Sequence, residues 1–342
     1  AELEGIARGA GCPLPALLAY NAYRGLVFPD ECTTMIALAD ATAAGKVLFL
    51  KNSDKIGAAS LTGPGYYQHK EINVLLVLAP EGGRKVVGVA AAGTTGLKMG
   101  INDRGVAVGT NIARTEELAE RRVDVTQLRA VDRAQLAREA MEEPTAMAAA
   151  QRIAAKVLAE PMATPGNMEF VDAREAVILE GSYTRQALEV VRQGTVSRTN
   201  SFVLLKELNQ WDDVSSQARL VRTRQLFRAH AGRLTFERFI EFSMDHENGP
   251  GPNSICRHGT HYTEETSMAA MVAEIDGDDP LRSRVAVALG KPCHAWRHPE
   301  GHLVVRLDVR PEALPAGFLT GETWKRFWTE EPARPAAAAS AG

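Results

Sequence analysis

No run in this sequence approaches the ~18 consecutive apolar residues that a membrane-spanning helix needs. Charge of one sign is equally scarce: 39 Lys and Arg stand against 42 Asp and Glu, a formal net charge of −3. Bulk charge therefore gives no reason to expect a nucleic acid or a bilayer as partner. The opening residues, AELEGIARGAGCPLPALLAY, lack the basic-then-apolar layout of a secretory signal. Cysteine is sparse: Cys12, Cys32, Cys256 and Cys293 occur without a CxxC pair, too few and too far apart for a disulfide framework in 342 residues. A reducing, cytoplasmic setting is expected, with one of the thiols free to react. The phosphate-cradling glycine patterns GxGxxG and GxxxxGK[ST] are missing, and so is the HExxH of a zinc protease.

What is present is an ordinary globular composition, 45% hydrophobic and 24% charged, on a chain long enough for a large core. Residues 3 to 26 read as helix broken at Gly9, Gly11 and Pro13, with Leu14, Leu17, Leu18 and Ala22 on one face of the second piece. From Cys32 onward the period changes to short paired strands: TTMIALA with KVLFLK, INVLLVLAP with RKVVGVAAA, and LKMGI with GVAVGTN, the last pair turning at Gly105. A helical block from Val125 to Glu160, interrupted at Pro144, is followed by strands NMEFVDA and EAVILEG. QALEVVR and TVSRTNSFVLL are read as continuing that same sheet. Two further helices, SSQARLVRTRQLF and LTFERFIEFSM, precede closing strands MAAMVAEI, RVAVALG and HLVVRLDV. Strands, helices, strands, helices, strands is an α+β layout: two antiparallel sheets packed together with helices outside. No internal repeat or linker divides it, and the Pro/Ala/Ser-biased tail 331–342 is expected to be disordered.

Several residues carry possible chemistry. Cys32, immediately before a strand, is either a small buried hydrophobe or a nucleophile. Asp54, in FLKNSDK, lies on the strand antiparallel to the one that Cys32 begins; it either belongs to a plain polar turn or offers a carboxylate that can hold a protonated amine at Cys32. Asn111, ending GINDRGVAVGTN, and Asn200, within SRTNSFV and read as strand-interior, need their amides satisfied; each either bridges a loop or aims an N–H at a developing oxyanion. Arg257, in NSICRHGTH, offers a guanidinium fork to a carboxylate if it points into the same pocket. The helix ARLVRTRQLFRAH presents Arg219, Arg222, Arg224, Arg228 and His230, either as a solvated face or as contacts to an anionic group such as a coenzyme A phosphate. Cys256, His258 and His261, then Cys293, His294, His298 and His302, match no zinc-finger or ribbon spacing, so no metal is expected and these histidines are read as solvated loop residues.

In order, GIARGAG, CTT, KNSD, GINDRGVAVGTN, TNSF, SICRHG and GKPC resemble the penicillin acyltransferase (isopenicillin N acyltransferase-like) branch of the N-terminal-nucleophile (Ntn) hydrolases, from residue 2 to about residue 308. Bile-salt hydrolase/penicillin V acylase and the secernins are more distant relatives. The resemblance implies an αββα four-layer sandwich, with 1–31 a helical pro-segment and 32–330 the catalytic domain. It makes Cys32 the residue freed as a new N-terminus when the chain cuts itself between Glu31 and Cys32. Asp54 then holds the nucleophile's amine, Asn111 and Asn200 take the oxyanion side, and Arg257 is the site arginine. Lys51, where such hydrolases often carry arginine, and Thr33 fall on the substrate side. The implied reaction is acyl transfer or hydrolysis through a thioester on Cys32, acting on an N-acyl amide or an acyl-coenzyme A with an amine or water as acceptor, and needing no cofactor. A peptidase- or dipeptidase-like amide hydrolase, and an uncleaved non-catalytic homologue, are the alternatives. The self-derived chains would stay together, and a homo-oligomer is compatible with the family. Two departures stand out: Glu31 replaces the glycine expected before the nucleophile, and the several dozen residues that usually precede GIARGAG are expected to be missing.

Overall fold

The computed structural model describes residues 1–27, 30–56, 73–119, 129–210, 213–259 and 264–314. His261, the start of the expected helical block at 125–128 and the tail 331–342 lie outside the described residues. Two helices, α1 (Glu2–Ala10) and α2 (Leu14–Val27), open the chain, and Gly11 caps the first in the left-handed conformation at φ 64. Of the face expected on α2, only Leu17 is buried; Leu18 and Ala22 are exposed. Leu17 packs at the close approach to Gly93, and Asn21 donates to the Gly93 carbonyl and accepts from the Thr95 N–H, so a local anchor rather than a full apolar stripe holds this helix.

Among the described residues, thirteen strands form two wholly antiparallel sheets. The first runs β10 (Thr195–Arg198), β1 (Asp30–Ala37), β2 (Val47–Ile56), β11 (Glu265–Ile275), β12 (Arg284–Leu289), β13 (His302–Arg306). In the second, β3 (Asn73–Leu78), β4 (Val86–Ala91), β5 (Met99–Asn102), β6 (Ala107–Ile112), β7 (Gly166–Val171), β8 (Ala176–Gly181) and β9 (Gln186–Val191) follow in chain order. The expectation that QALEVVR and TVSRTN share one sheet is corrected: β9 closes the second sheet and β10 crosses to pair with β1.

Period-two alternation explains the layering. Ile36, Val47 and Phe49 of the first sheet meet Val87, Val89, Ile101 and Ile178 of the second in a core between the sheets. Alternate residues Met35, Leu48 and Leu50 face the other way, onto α6 (Val214–Ala229) and α7 (Phe236–Ser243) through Leu226, Phe239 and Phe242. Val108, Phe170 and Leu179 likewise face α4 (Arg133–Ala140) and α5 (Ala146–Ala159) through Leu136, Ala150 and Ile153. Helix, sheet, sheet, helix is the αββα order. Two four-residue helices, α3 (Glu116–Ala119) and α8 (Pro292–Ala295), complete the set.

Candidate active site

Register on the first two strands decides which side chains meet. Cys32 pairs with Ser53 and Thr34 with Lys51, while Glu31 pairs with Asp54 and Thr33 with Asn52. Cys32, Thr34 and Lys51 therefore face the second sheet, and Glu31, Thr33 and Asp54 face α6. Cys32, Lys51 and Asp54 are fully buried.

On the inner face, the Lys51 ammonium reaches diagonally across the strand pair and donates to the Cys32 sulfur at 3.0 Å. Beneath them the Thr34 hydroxyl donates to Asn111 Oδ1 at 2.9 Å and lies 3.4 Å from Glu169 Oε2 on β7. Burial drives the Glu169 carboxyl up to about 7 against the opposing pull of Lys51 and Arg198. Gly109 leaves room for this group: a Cβ there would stand 3.0 Å from Glu169 Oε2 and 3.2 Å from Lys51 Cδ. Asn111 Nδ2 is buried without a hydrogen-bond partner, a donor that the fold itself does not use.

On the outer face, Arg219 is the hub. Its Nη1 donates to the Cys32 carbonyl at 2.7 Å and to the Thr33 hydroxyl at 3.0 Å, and its Nη2 to Asn200 Oδ1 at 2.8 Å. Asn200 Oδ1 also accepts from the Cys32 backbone N–H at 3.2 Å, and its Nδ2 donates to the Ile112 carbonyl at 2.9 Å. Asn200 is not strand-interior as expected: β10 ends at Arg198, and residues 199–201 form a clamped loop. From the α6 side Ser216 Oγ accepts from the Asn200 N–H and the Ser201 hydroxyl; from β7, Asn167 Nδ2 donates to the carbonyls of Thr199 and Ser201.

Glu31 sits among three arginines. Arg257 Nη1 lies 2.5 Å from one carboxylate oxygen and Arg114 Nη2 2.8 Å from the other, with Arg219 3.9 Å away. Burial alone would raise this carboxyl, but Arg257, Arg219 and Arg114 outweigh it and hold it at about 2. Arg257 also pairs with Glu265 at 2.6 Å. Asp54 accepts from the Ser267 hydroxyl at 2.6 Å through Oδ1, while Oδ2 has no hydrogen-bond partner and faces Arg257 only at 3.7 Å. Burial raises the Asp54 carboxyl, and Arg257, Arg219 and Ser267 offset this only in part.

All five residues expected to do chemistry thus gather around the start of β1 and the end of its antiparallel neighbour β2, with Lys51 beside the sulfur and Thr33 turned to the opposite face. Sequence reasoning missed Glu169, Arg114, Glu265 and Ser267, and it placed Arg219 either on a solvated face or against an anionic group, not in the buried hub it forms. Arg219 lies on the buried stripe Ser216, Arg219, Leu220, Thr223 of α6, a spacing visible in the sequence. Arg224 and Arg228 line a cavity of about 550 Å³ with Thr195 and Arg198, whose walls do not include Cys32. Of the histidines and cysteines read as unconnected, Cys256, His258 and Cys293 come together with His246. No described helix is long and apolar enough to cross a membrane.

Among solved structures, an N-acylethanolamine-hydrolyzing acid amidase ortholog from Caenorhabditis elegans is 12% identical, covering 80% of this chain and 100% of its own, at a TM-score of 0.45. Penicillin V acylase from Agrobacterium tumefaciens is 12% identical, with coverages of 75% and 83% and a TM-score of 0.43. A mutant of conjugated bile acid hydrolase from Clostridium perfringens is 9% identical, with coverages of 81% and 94% and a TM-score of 0.47. At scores this low the likeness establishes no shared fold. No curated protein matches the sequence. The family model described as acyl-coenzyme A:6-aminopenicillanic acid acyl-transferase matches residues 42–277, a stretch that carries Lys51, Asp54, Asn111, Asn200, Arg219 and Arg257. With well over half of its length matched, this chain belongs to that acyl-transferase family, and it is an enzyme of that kind.

Proposed function

We propose that Cys32 is the nucleophile of an acyltransferase or amide hydrolase and is freed as an N-terminus by cleavage of the Glu31–Cys32 bond. The observation that carries this reading is the Lys51 ammonium 3.0 Å from the Cys32 sulfur, on strands whose other face brings Asn200 to the Cys32 N–H and sets Asp54 opposite the preceding residue, Glu31. A buried cation stabilises thiolate over thiol, which is the nucleophilic form. An isolated structural thiol has no use for one.

In the processing step the Cys32 sulfur attacks the Glu31 carbonyl carbon, and the Cys32 nitrogen leaves with a proton. Water then hydrolyses the resulting thioester, giving a Glu31 carboxylate and a free Cys32 α-amine. An α-amine titrates at about 7.7–8.0, well placed to take the proton of its own thiol at neutral pH. Asp54 Oδ2, buried and without a hydrogen-bond donor, is the acceptor available to orient that amine. In turnover the sulfur attacks the acyl carbonyl of an acyl-coenzyme A or an N-acyl amide, and the leaving thiol or amine takes a proton. The unused Asn111 N–H supports the developing oxyanion. An amine or water then takes the acyl group from the sulfur.

Glu31, bulky where glycine is expected, is accommodated because Arg114, Arg219 and Arg257 neutralise it. The test is incubation with an acyl-coenzyme A and a small primary amine, quantifying amide and free acid. Product that forms with the wild type and disappears in Cys32→Ala supports the assignment; equal turnover by the two proteins refutes it.

A further inference from the structure

Four side chains outside the reaction centre point at one spot. His246 follows α7, Cys256 and His258 lie in the segment before β11, and Cys293 is in α8. Their ligating atoms all lie within 4.8 Å of one another. His258 Nε2 is 3.2 Å from His246 Nε2, 3.6 Å from Cys256 Sγ and 3.2 Å from Cys293 Sγ. Both thiols are buried and free of disulfide.

As a hydrogen-bond cluster this arrangement does not close. A neutral imidazole nitrogen carries either one proton or one lone pair, so it serves one partner in its ring plane, not three. His258 Nε2 can thus satisfy only one of its three neighbours. A divalent cation at the centre resolves this conflict, because each nitrogen directs its lone pair inward and each sulfur ligates as thiolate. Tetrahedral zinc, with Zn–S of about 2.3 Å and Zn–N of about 2.0–2.1 Å, sets its ligand atoms ~3.3–3.8 Å apart. The three separations from His258 lie at or close to that range.

We propose that His246, Cys256, His258 and Cys293 bind one zinc ion in a closed tetrahedral site. The reading of no metal from the sequence rested on spacing among neighbours. The ligands here are separated by a loop and by the whole β11–β12 hairpin, so only the fold assembles them. With four protein ligands the site has no open position, which marks it as structural rather than catalytic.

What it holds is Arg257. Cys256 and His258 both reach into the cluster, while Arg257 between them reaches away from it to Glu31 and Glu265. Mutual bonds tie the same residue to β11: the Arg257 N–H donates to Ser267 Oγ at 2.9 Å, and the Ser267 N–H donates to the Arg257 carbonyl at 3.0 Å. Ser267 in turn holds Asp54. A metal closing this segment onto α8 fixes the arginine and, through Ser267, the carboxylate.

Untagged, reduced protein purified from zinc-supplemented cells is expected to hold one zinc per chain by elemental analysis. Cys293→Ser and Cys256→Ser should lose that metal, whereas Cys12→Ser should keep it. Because a ligand variant can fail through misfolding, the wild type supplies a second measurement. After chelator stripping, one equivalent of cobalt should restore the visible bands of a tetrahedral site with thiolate-to-metal charge transfer, and the stripped protein should melt at lower temperature than the loaded one. Cys32→Ala should retain the zinc, so failure of the nucleophile assignment leaves this site standing. Zinc at background in the wild type, a cobalt spectrum of only the aqueous ion, or a Cys256–Cys293 disulfide in freshly purified protein would overturn the proposal. An unchanged melting temperature on stripping would overturn its structural role.

Discussion

The Lys51 ammonium donates to the Cys32 sulfur at 3.0 Å, across the diagonal of the first strand pair. A hydrogen bond to a charged group contributes about 1.5–3 kcal/mol, and ~1.4 kcal/mol is a factor of ten in rate. Lys51→Met is therefore expected to slow processing at Cys32 by about 10–100-fold, with Lys51→Arg intermediate. Following the appearance of the 32–342 chain by time-resolved mass spectrometry checks this; an unchanged rate in Lys51→Met would remove Lys51 from the mechanism.

Arg219 donates to four acceptors, the Cys32 carbonyl, Thr33 Oγ1, Asn200 Oδ1 and Ser215 Oγ, in a fully buried position. Its replacement by Met leaves Asn200 Oδ1 and the Cys32 carbonyl short of a donor and the Glu31 charge less compensated, at a cost of about 3–5 kcal/mol. Arg219→Lys should not restore the loss, because a point ammonium cannot span the fork. Denaturant unfolding of the three proteins measures it, and full stability in Arg219→Lys would contradict the forked geometry.

The two asparagines should separate. Asn200 is bonded on both sides of its amide, so Asn200→Ala is expected to lower stability and rate together. Asn111 keeps an unused buried donor, so Asn111→Ala should reduce acyl transfer by ~10²–10³-fold, the usual loss for one oxyanion donor. Its melting temperature should fall less than that of Asn200→Ala. Steady-state kinetics beside thermal melts would show the opposite ranking if Asn111 were purely structural.

Much of this fold is readable in the sequence, because hairpins are local. The alternation in TTMIALA and KVLFLK, and the Gly105 turn at φ 74, announce their pairs directly. Partner choice at sheet edges is not local. Nothing within TVSR says that it leaves β9 for β1, since that depends on Ser216 and Asn167 capturing the loop after it. The site divides in the same way. Cys32, Asp54, Asn111, Asn200 and Arg257 stand in recognisable motifs, whereas Glu169 looks like one acid in an apolar strand until the fold places it against Lys51 and Thr34. The four residues proposed to hold zinc are scattered along the sequence until α8, which carries Cys293, packs beside β11.

Glu169 also predicts a pH dependence. Burial lifts its pKa from 4.5 to about 7, above its unfolded value. Its contribution to stability is thus fully present below about pH 4.5 and is lost as pH rises through about 7. Melting temperatures of the wild type across that window should decline more steeply than those of Glu169→Gln. Parallel curves would show that the carboxyl is already ionised in the folded protein.

Cleavage between Glu31 and Cys32 is the event on which the functional account turns, and intact-mass spectrometry of the purified protein reads it directly. The account predicts two chains, 1–31 and 32–342, in the wild type and one uncut chain in Cys32→Ala. A wild type that stays a single chain through prolonged incubation, and behaves like Cys32→Ala with acyl donors, would contradict it.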